Sequence, residues 1–124
     1  MQQRMQNKPI DARAHGILDY VFAGIQLIVP SVIGLSPTAI KAYEAIGLGF
    51  LAANALTDTP VGLKPVFSLQ DHRKIDEVSL MGQSLLTFSP FIRNDKAVLS
   101  FHLGFLGAAI ANYLLTDYDH PVKK

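Results

Sequence analysis

The chain has 124 residues, 49% of them hydrophobic and only 17% charged, against roughly a quarter charged in an average soluble domain. That length holds one domain, residues 1–124, and a net charge of +1 gives no polybasic field to attract nucleic acid. Cysteine is absent, which excludes disulfide scaffolds, thiolate metal sites and cysteine nucleophiles.

Charge is distributed unevenly. Lys, Arg, Asp and Glu are missing from windows 20–40, 45–57, 78–92 and 97–116, which hold 21, 13, 15 and 20 residues. A transmembrane helix needs about 20 mostly apolar residues. The first and last windows reach that length unaided. The second reaches it by starting near Thr38, with Lys41 and Glu44 in its first turns, where long side chains snorkel to the interface. The third is the weakest, because His72, Arg73, Lys74, Asp76 and Glu77 crowd its start.

In chain order, the first thirteen residues are polar and no small-residue cleavage site follows the first apolar window, so no removable signal peptide is expected. Asp11 caps a first helix from about Ala12 to Val29, ended by Pro30, which lacks a backbone donor. Ser36 and Pro37 start a second helix, as N-cap and first helical residue, running to about Leu56. Pro60, Gly62 and Pro65 break up the connection that follows. Ser68 and Asp71 cap a third helix, expected to end at the Ser89-Pro90 step because the residue before proline is pushed out of helical geometry. Asn94 or Asp95 opens a fourth, proline-free to Leu115.

The chain repeats itself. His15 and Asp19 recur as His72 and Asp76 at an offset of 57, Leu48, Gly49 and Asn54 recur as Leu106, Gly107 and Asn112 at 58, and Thr57-Asp58 recurs as Thr116-Asp117 at 59. Two tandem helical hairpins, about 12–58 and 70–117, joined by linker 58–69, account for this pattern. The expected fold class is all-α: a four-helix transmembrane bundle built from those two hairpins.

Ser89-Pro90-Phe91 closing an apolar helix, Pro30 in the corresponding place of the first copy, and an H-x-x-x-D start to each hairpin resemble the SPW-repeat family. Phe91 stands where that family has Trp, and the first copy reads Pro30-Ser31-Val32. The resemblance covers about Ala14 to Asp117. It implies a small integral protein of the bacterial inner membrane with two transmembrane helices per repeat, and it carries no activity to transfer.

Ala45, Gly49 and Ala53, and the pairs Gly104/Ala108 and Gly107/Ala111, form small-residue stripes that allow close helix approach in lipid, within the chain or to a second copy. Phe22, Phe50, Phe88, Phe101 and Phe105 read as packing or lipid-facing residues.

Chemistry-capable residues are few. A His and an Asp at i and i+4 share a helix face, so two such helices facing each other present His15, Asp19, His72 and Asp76, an N/O set suited to a divalent ion of zinc, iron or manganese. The same four also make a structural network, each Asp fixing its own His near the headgroups, or a proton or anionic-group site. Asn54, Asn112, Asp58 and Asp117 are the expected outer partners. Glu44 and His102, equivalent at offset 58, are an expected pair near the opposite membrane face.

No serine lies in a G-x-S-x-G or S-x-x-K context and no glycine run forms a phosphate loop, so hydrolase, kinase and dehydrogenase readings have no support and no catalytic residue is assigned. Three readings stand: a structural or accessory membrane protein, alone, as a homo-oligomer or within a larger membrane complex, needing no cofactor; a membrane-bound metal or proton site; and a soluble bundle binding a hydrophobic ligand. For four spans, Arg4, Lys8, Arg13, Lys64, Arg73, Lys74, Lys123 and Lys124 fall on one side and Lys41, Arg93 and Lys96 on the other. Eight against three puts both termini in the cytoplasm by the positive-inside rule. The histidines and aspartates then share one level, the aspartates roughly 6 Å deeper at about 1.5 Å per residue, lining a polar pocket expected to open to the cytoplasm.

Overall fold

The computed structural model describes residues 8–120; the terminal Arg4, Lys123 and Lys124 counted above lie outside them. The described chain is all-helical: α1 (Ala12–Val32), α2 (Pro37–Ala55), α3 (Leu69–Leu86), the single turn α4 (Pro90–Arg93) and α5 (Lys96–Leu115). Local chemistry explains each start. The Asp11 carboxylate accepts from the Ala14 amide at 2.8 Å and the Ser36 hydroxyl from Ala39 at 3.2 Å. Ser68 and Asp71 form a reciprocal capping box, and Asp95 accepts from the amides of Ala97 and Val98.

Two boundaries differ from the sequence reading. α1 continues through Pro30 to Val32, because a proline in the last turn forfeits one hydrogen bond and stops nothing beyond it. The terminator is Gly34, whose φ of 73° turns the chain, while Leu35 N–H reaches Pro30 O at 2.9 Å and Gly34 N–H reaches Ser31 O at 3.2 Å, the double closure of a left-handed helix end. α3 stops at Leu86, three residues before the Ser-Pro step. Ser89-Pro90 instead opens α4, with proline in the first turn, where its missing N–H is not needed.

α1 and α2 form an antiparallel hairpin, α3 packs on α5, and α5 also touches α1. The small-residue stripes do not mediate these contacts. Gly49, Gly104 and Gly107 have open space around them, and Ala45, Ala108 and Ala111 are exposed. The close approach falls instead at Gly47, where a Cβ would lie 3.1 Å from Ala23 O.

The connections at one end of the helices repeat each other. Ile10, two residues before α1, bridges to Thr116 just after α5, and Phe67, two before α3, bridges to Thr57 just after α2. The segment leading to Phe67 closes tightly: at Gly62 a side chain would sit 1.9 Å from the Thr57 carbonyl oxygen, so only glycine fits.

Apolar clusters sit at the two ends, and a run of rings, Phe101, Phe105, Phe22 and Phe50, packs between them. Leu35, Ala39, Tyr43, Ile92 and Val98 cluster at one end, and Ala12, Leu69 and Tyr118 at the other. Much of what is buried between them is polar: His15, Asp19, Gln26, Asn54, His72, Asp76, Gln83, His102 and Asn112. The outer surface is apolar, with Ile28, Val32, Val78, Met81, Leu85 and Phe88 each more than 60% exposed. α1 and α5 are long and apolar enough to cross a membrane.

Candidate functional site

α1 and α3 each carry His and Asp one turn apart, and the structure brings the two pairs face to face. His15 Nε2 lies 3.1 Å from Asp19 Oδ2 and 3.1 Å from Asp76 Oδ2. His72 Nε2 lies 2.9 Å from Asp19 Oδ2 and 3.4 Å from Asp76 Oδ1. The two Nε2 atoms are 3.3 Å apart, with the rings edge to face. Each carboxylate lies within 3.4 Å of both imidazoles, so the four form one centre.

The outer nitrogen of each ring is held by a threonine of the other hairpin. His15 Nδ1 is 2.7 Å from Thr116 Oγ1, and His72 Nδ1 is 2.7 Å from Thr57 Oγ1. Each hydroxyl donates its single hydrogen to the carbonyl four residues back, Thr116 to Asn112 O at 2.5 Å and Thr57 to Ala53 O at 2.6 Å. Each threonine oxygen therefore accepts from an Nδ1–H. Both rings have a fixed tautomer, proton outward, and in the neutral ring the Nε2 lone pair points to the centre.

The aspartates are oriented as firmly. Asn112 donates to Asp19 Oδ1 at 3.2 Å, leaving Oδ2 for the histidines. Tyr118 O–H donates to Asp76 Oδ2 at 2.7 Å, and its ring packs edge-on against His15. Burial, reinforced by the charge of Asp76, pushes the Tyr118 phenol far above its ordinary pKa, so it stays a donor.

Several sequence expectations are corrected. The centre is not an open pocket: Tyr118 lies over it, and the His15 and His72 side chains are 4% and 2% exposed. A cavity of about 20 Å³ adjoins it between Asp19, Asp76, Ser79 and Asn112, room for one water-sized particle. Of the outer partners, Asn112 touches the quartet. Asn54 binds Gly16 O at 2.7 Å and so holds the α1 backbone. Asp117 turns away to His120 Nδ1 at 2.7 Å, and Asp58 is exposed. The threonine beside each of these aspartates makes the contact instead. The repeated Thr-Asp dipeptide was the signal; the neutral member carries it because its hydroxyl folds back onto a carbonyl of the last helical turn, while the carboxylate lies one residue further out.

Glu44 and His102 do not pair. His102 Nε2–H donates to Gln83 O at 2.9 Å, which leaves Nδ1 as an acceptor for Tyr43 O–H at 2.8 Å. Tyr43 is fully buried beside that histidine, whereas Glu44 is one residue, about 100° of helix rotation, further round.

Compared with protein-family models, with curated proteins and with solved structures, the chain matches none.

Proposed function

We propose that the chain is a small integral membrane protein, structural or accessory in role, crossing the bilayer four times with both termini cytoplasmic. The observation that carries this reading is the inverted partition of the side chains. A buried set rich in polar groups, beside a broad exposed apolar surface, is the reverse of what water selects. Gln26 is fully buried and neither of its amide atoms has a hydrogen-bond partner among the described residues.

Four spans follow from two. His15 at the start of α1 meets Thr116 at the end of α5, and His72 at the start of α3 meets Thr57 at the end of α2. If α1 and α5 cross, α2 and α3 lie beside them at the same depth. At about 1.5 Å per residue, helices of 18 to 21 residues are roughly 27–32 Å long, the thickness of the hydrocarbon core. α3, the least apolar by composition, turns Val78, Met81 and Leu85 outward and Asp76 and Gln83 inward; a helix of a soluble bundle does the opposite.

The crossed His–Thr bonds and paired bridges support two tandem hairpins, 12–58 and 70–117, as the SPW-repeat resemblance implies, with the bacterial inner membrane as location. Two even-numbered hairpins are related by an axis along the membrane normal. The exposed Gly104, Gly107, Ala108 and Ala111 are the face on which a second copy or a larger membrane complex would pack against α5. Lipid is the remaining partner, and it covers the apolar belt.

Membranes from expressing cells should retain the protein through an alkaline carbonate wash and release it only with detergent. Release by carbonate, or recovery in the soluble fraction without detergent, overturns the reading in favour of the soluble bundle.

A further inference from the structure

The His/Asp centre turns four metal-ligating side chains toward one point. With the Nδ1–H of each ring held outward, the inward atoms are Nε2 of His15 and His72 and the carboxylate oxygens of Asp19 and Asp76, and a metal ion that displaces any Nε2 proton would meet a lone pair on each. They converge so that one ligand atom from each of the four lies within 4.8 Å of the others. For a metal ion held tetrahedrally at about 2.0–2.1 Å, adjacent ligand atoms are about 3.3–3.4 Å apart. The Nε2 atoms of His15 and His72 are 3.3 Å apart and lie 3.1 and 2.9 Å from Asp19 Oδ2, and Asp76 meets His15 through Oδ2 at 3.1 Å and His72 through Oδ1 at 3.4 Å.

We propose that His15, Asp19, His72 and Asp76 are the ligands of one divalent transition-metal ion, zinc in the first instance, bound through Nε2 of both histidines and one oxygen of each aspartate. The charge fits: two carboxylates buried among helices are balanced by one doubly charged ion, giving a neutral centre. The donor chemistry fits as well, because two imidazoles and two carboxylates suit zinc, iron(II) or manganese(II) and exclude the ions that require thiolates.

The surroundings are those of a metal site. Metal-bound histidines hold their outer N–H on a fixed acceptor, and metal-bound carboxylates are themselves hydrogen-bonded. Here Thr116 and Thr57 take the two Nδ1–H groups, Asn112 takes Asp19 Oδ1, and Tyr118 binds Asp76. Each hairpin supplies one His, one Asp and one Thr, and each Thr serves the His of the other. The ion would tie the two halves together at one membrane level.

The inference is independent of the membrane placement, because it is read on purified protein. Tag-free protein, extracted without chelators and checked for helical circular dichroism and a single elution peak, is titrated with Co²⁺ as the probe. One Co²⁺ per chain should bind with the intense visible absorption of a tetrahedral site, and Zn²⁺ should displace it. His15→Ala and His72→Ala should abolish that absorption. Thr116→Val and Thr57→Val should weaken Co²⁺ about 10- to 100-fold, and Thr116→Ser should recover most of the loss. For the case in which histidine variants fail to fold, the unaltered Co²⁺ protein supplies its own test. It should show two exchangeable, paramagnetically shifted imidazole N–H resonances, one for each Nδ1–H. Folded protein that takes up no Co²⁺, or gives only weak octahedral absorption without shifted imidazole signals, overturns the proposal.

Discussion

Asp19→Ala is expected to cost about 3–5 kcal/mol of stability, the magnitude for removing one partner from a buried charged network. The carboxylate is within 3.1 Å of two histidines and accepts from Asn112. Its loss leaves one aspartate facing both rings and an amide with no acceptor. Asp19→Asn keeps the volume and part of the hydrogen bonding, and should fall between the variant and the parent. Unfolding in mixed detergent followed by circular dichroism checks this. An Asp19→Ala protein as stable as the parent would mean that the quartet contributes nothing to holding the hairpins together.

The second large effect lies at the far end of the helices. Tyr43→Ala should cost about 3–5 kcal/mol, as large-to-small changes of buried aromatic residues do. The Tyr43 ring is fully buried against Leu35, Ala39, Ile92 and Val98. Tyr43→Phe keeps the ring and removes only the hydroxyl, so His102 Nδ1 is left without its donor, at about 1–3 kcal/mol for an unmet buried group. Co²⁺ affinity should change little in Tyr43→Phe, because Tyr43 is separated from the quartet by the run of rings Phe101, Phe105 and Phe22 and the variant keeps its ring in place. Loss of the metal along with Tyr43 would show that the ends are coupled.

Features set by near neighbours in the chain could be read from the sequence. Asp11, Ser36, Ser68 and Asp95 cap helices because a short oxygen-bearing side chain one residue before a helix needs nothing from the rest of the fold. The His/Asp faces were legible for the same reason, as i and i+4 on one helix define a face wherever the helix sits. What depends on packing was not legible. Whether Pro30 ends α1 is decided by the chain beyond it, where Gly34 turns. Whether Gly47 or Gly49 meets α1 is a matter of helix rotation, and only Gly49 belongs to a small-residue stripe, which pointed to the wrong face. The tyrosines were missed altogether. Tyr118 reaches Asp76 only because the segment after α5 folds back beside Ile10, and no spacing rule announces a contact across 42 residues.

In the four-span arrangement proposed, these helices cross a membrane with their polar side inward and their ends on defined sides. Because the chain has no cysteine, single cysteines can be introduced one at a time at the exposed positions Lys41, Lys64, Asn94 and Asp119. Labelling with a membrane-impermeant maleimide in right-side-out vesicles should mark K41C and N94C directly, and K64C and D119C only after the vesicles are permeabilised. Labelling of K64C and N94C from the same side would contradict the four-span arrangement and the placement of the His/Asp centre that depends on it.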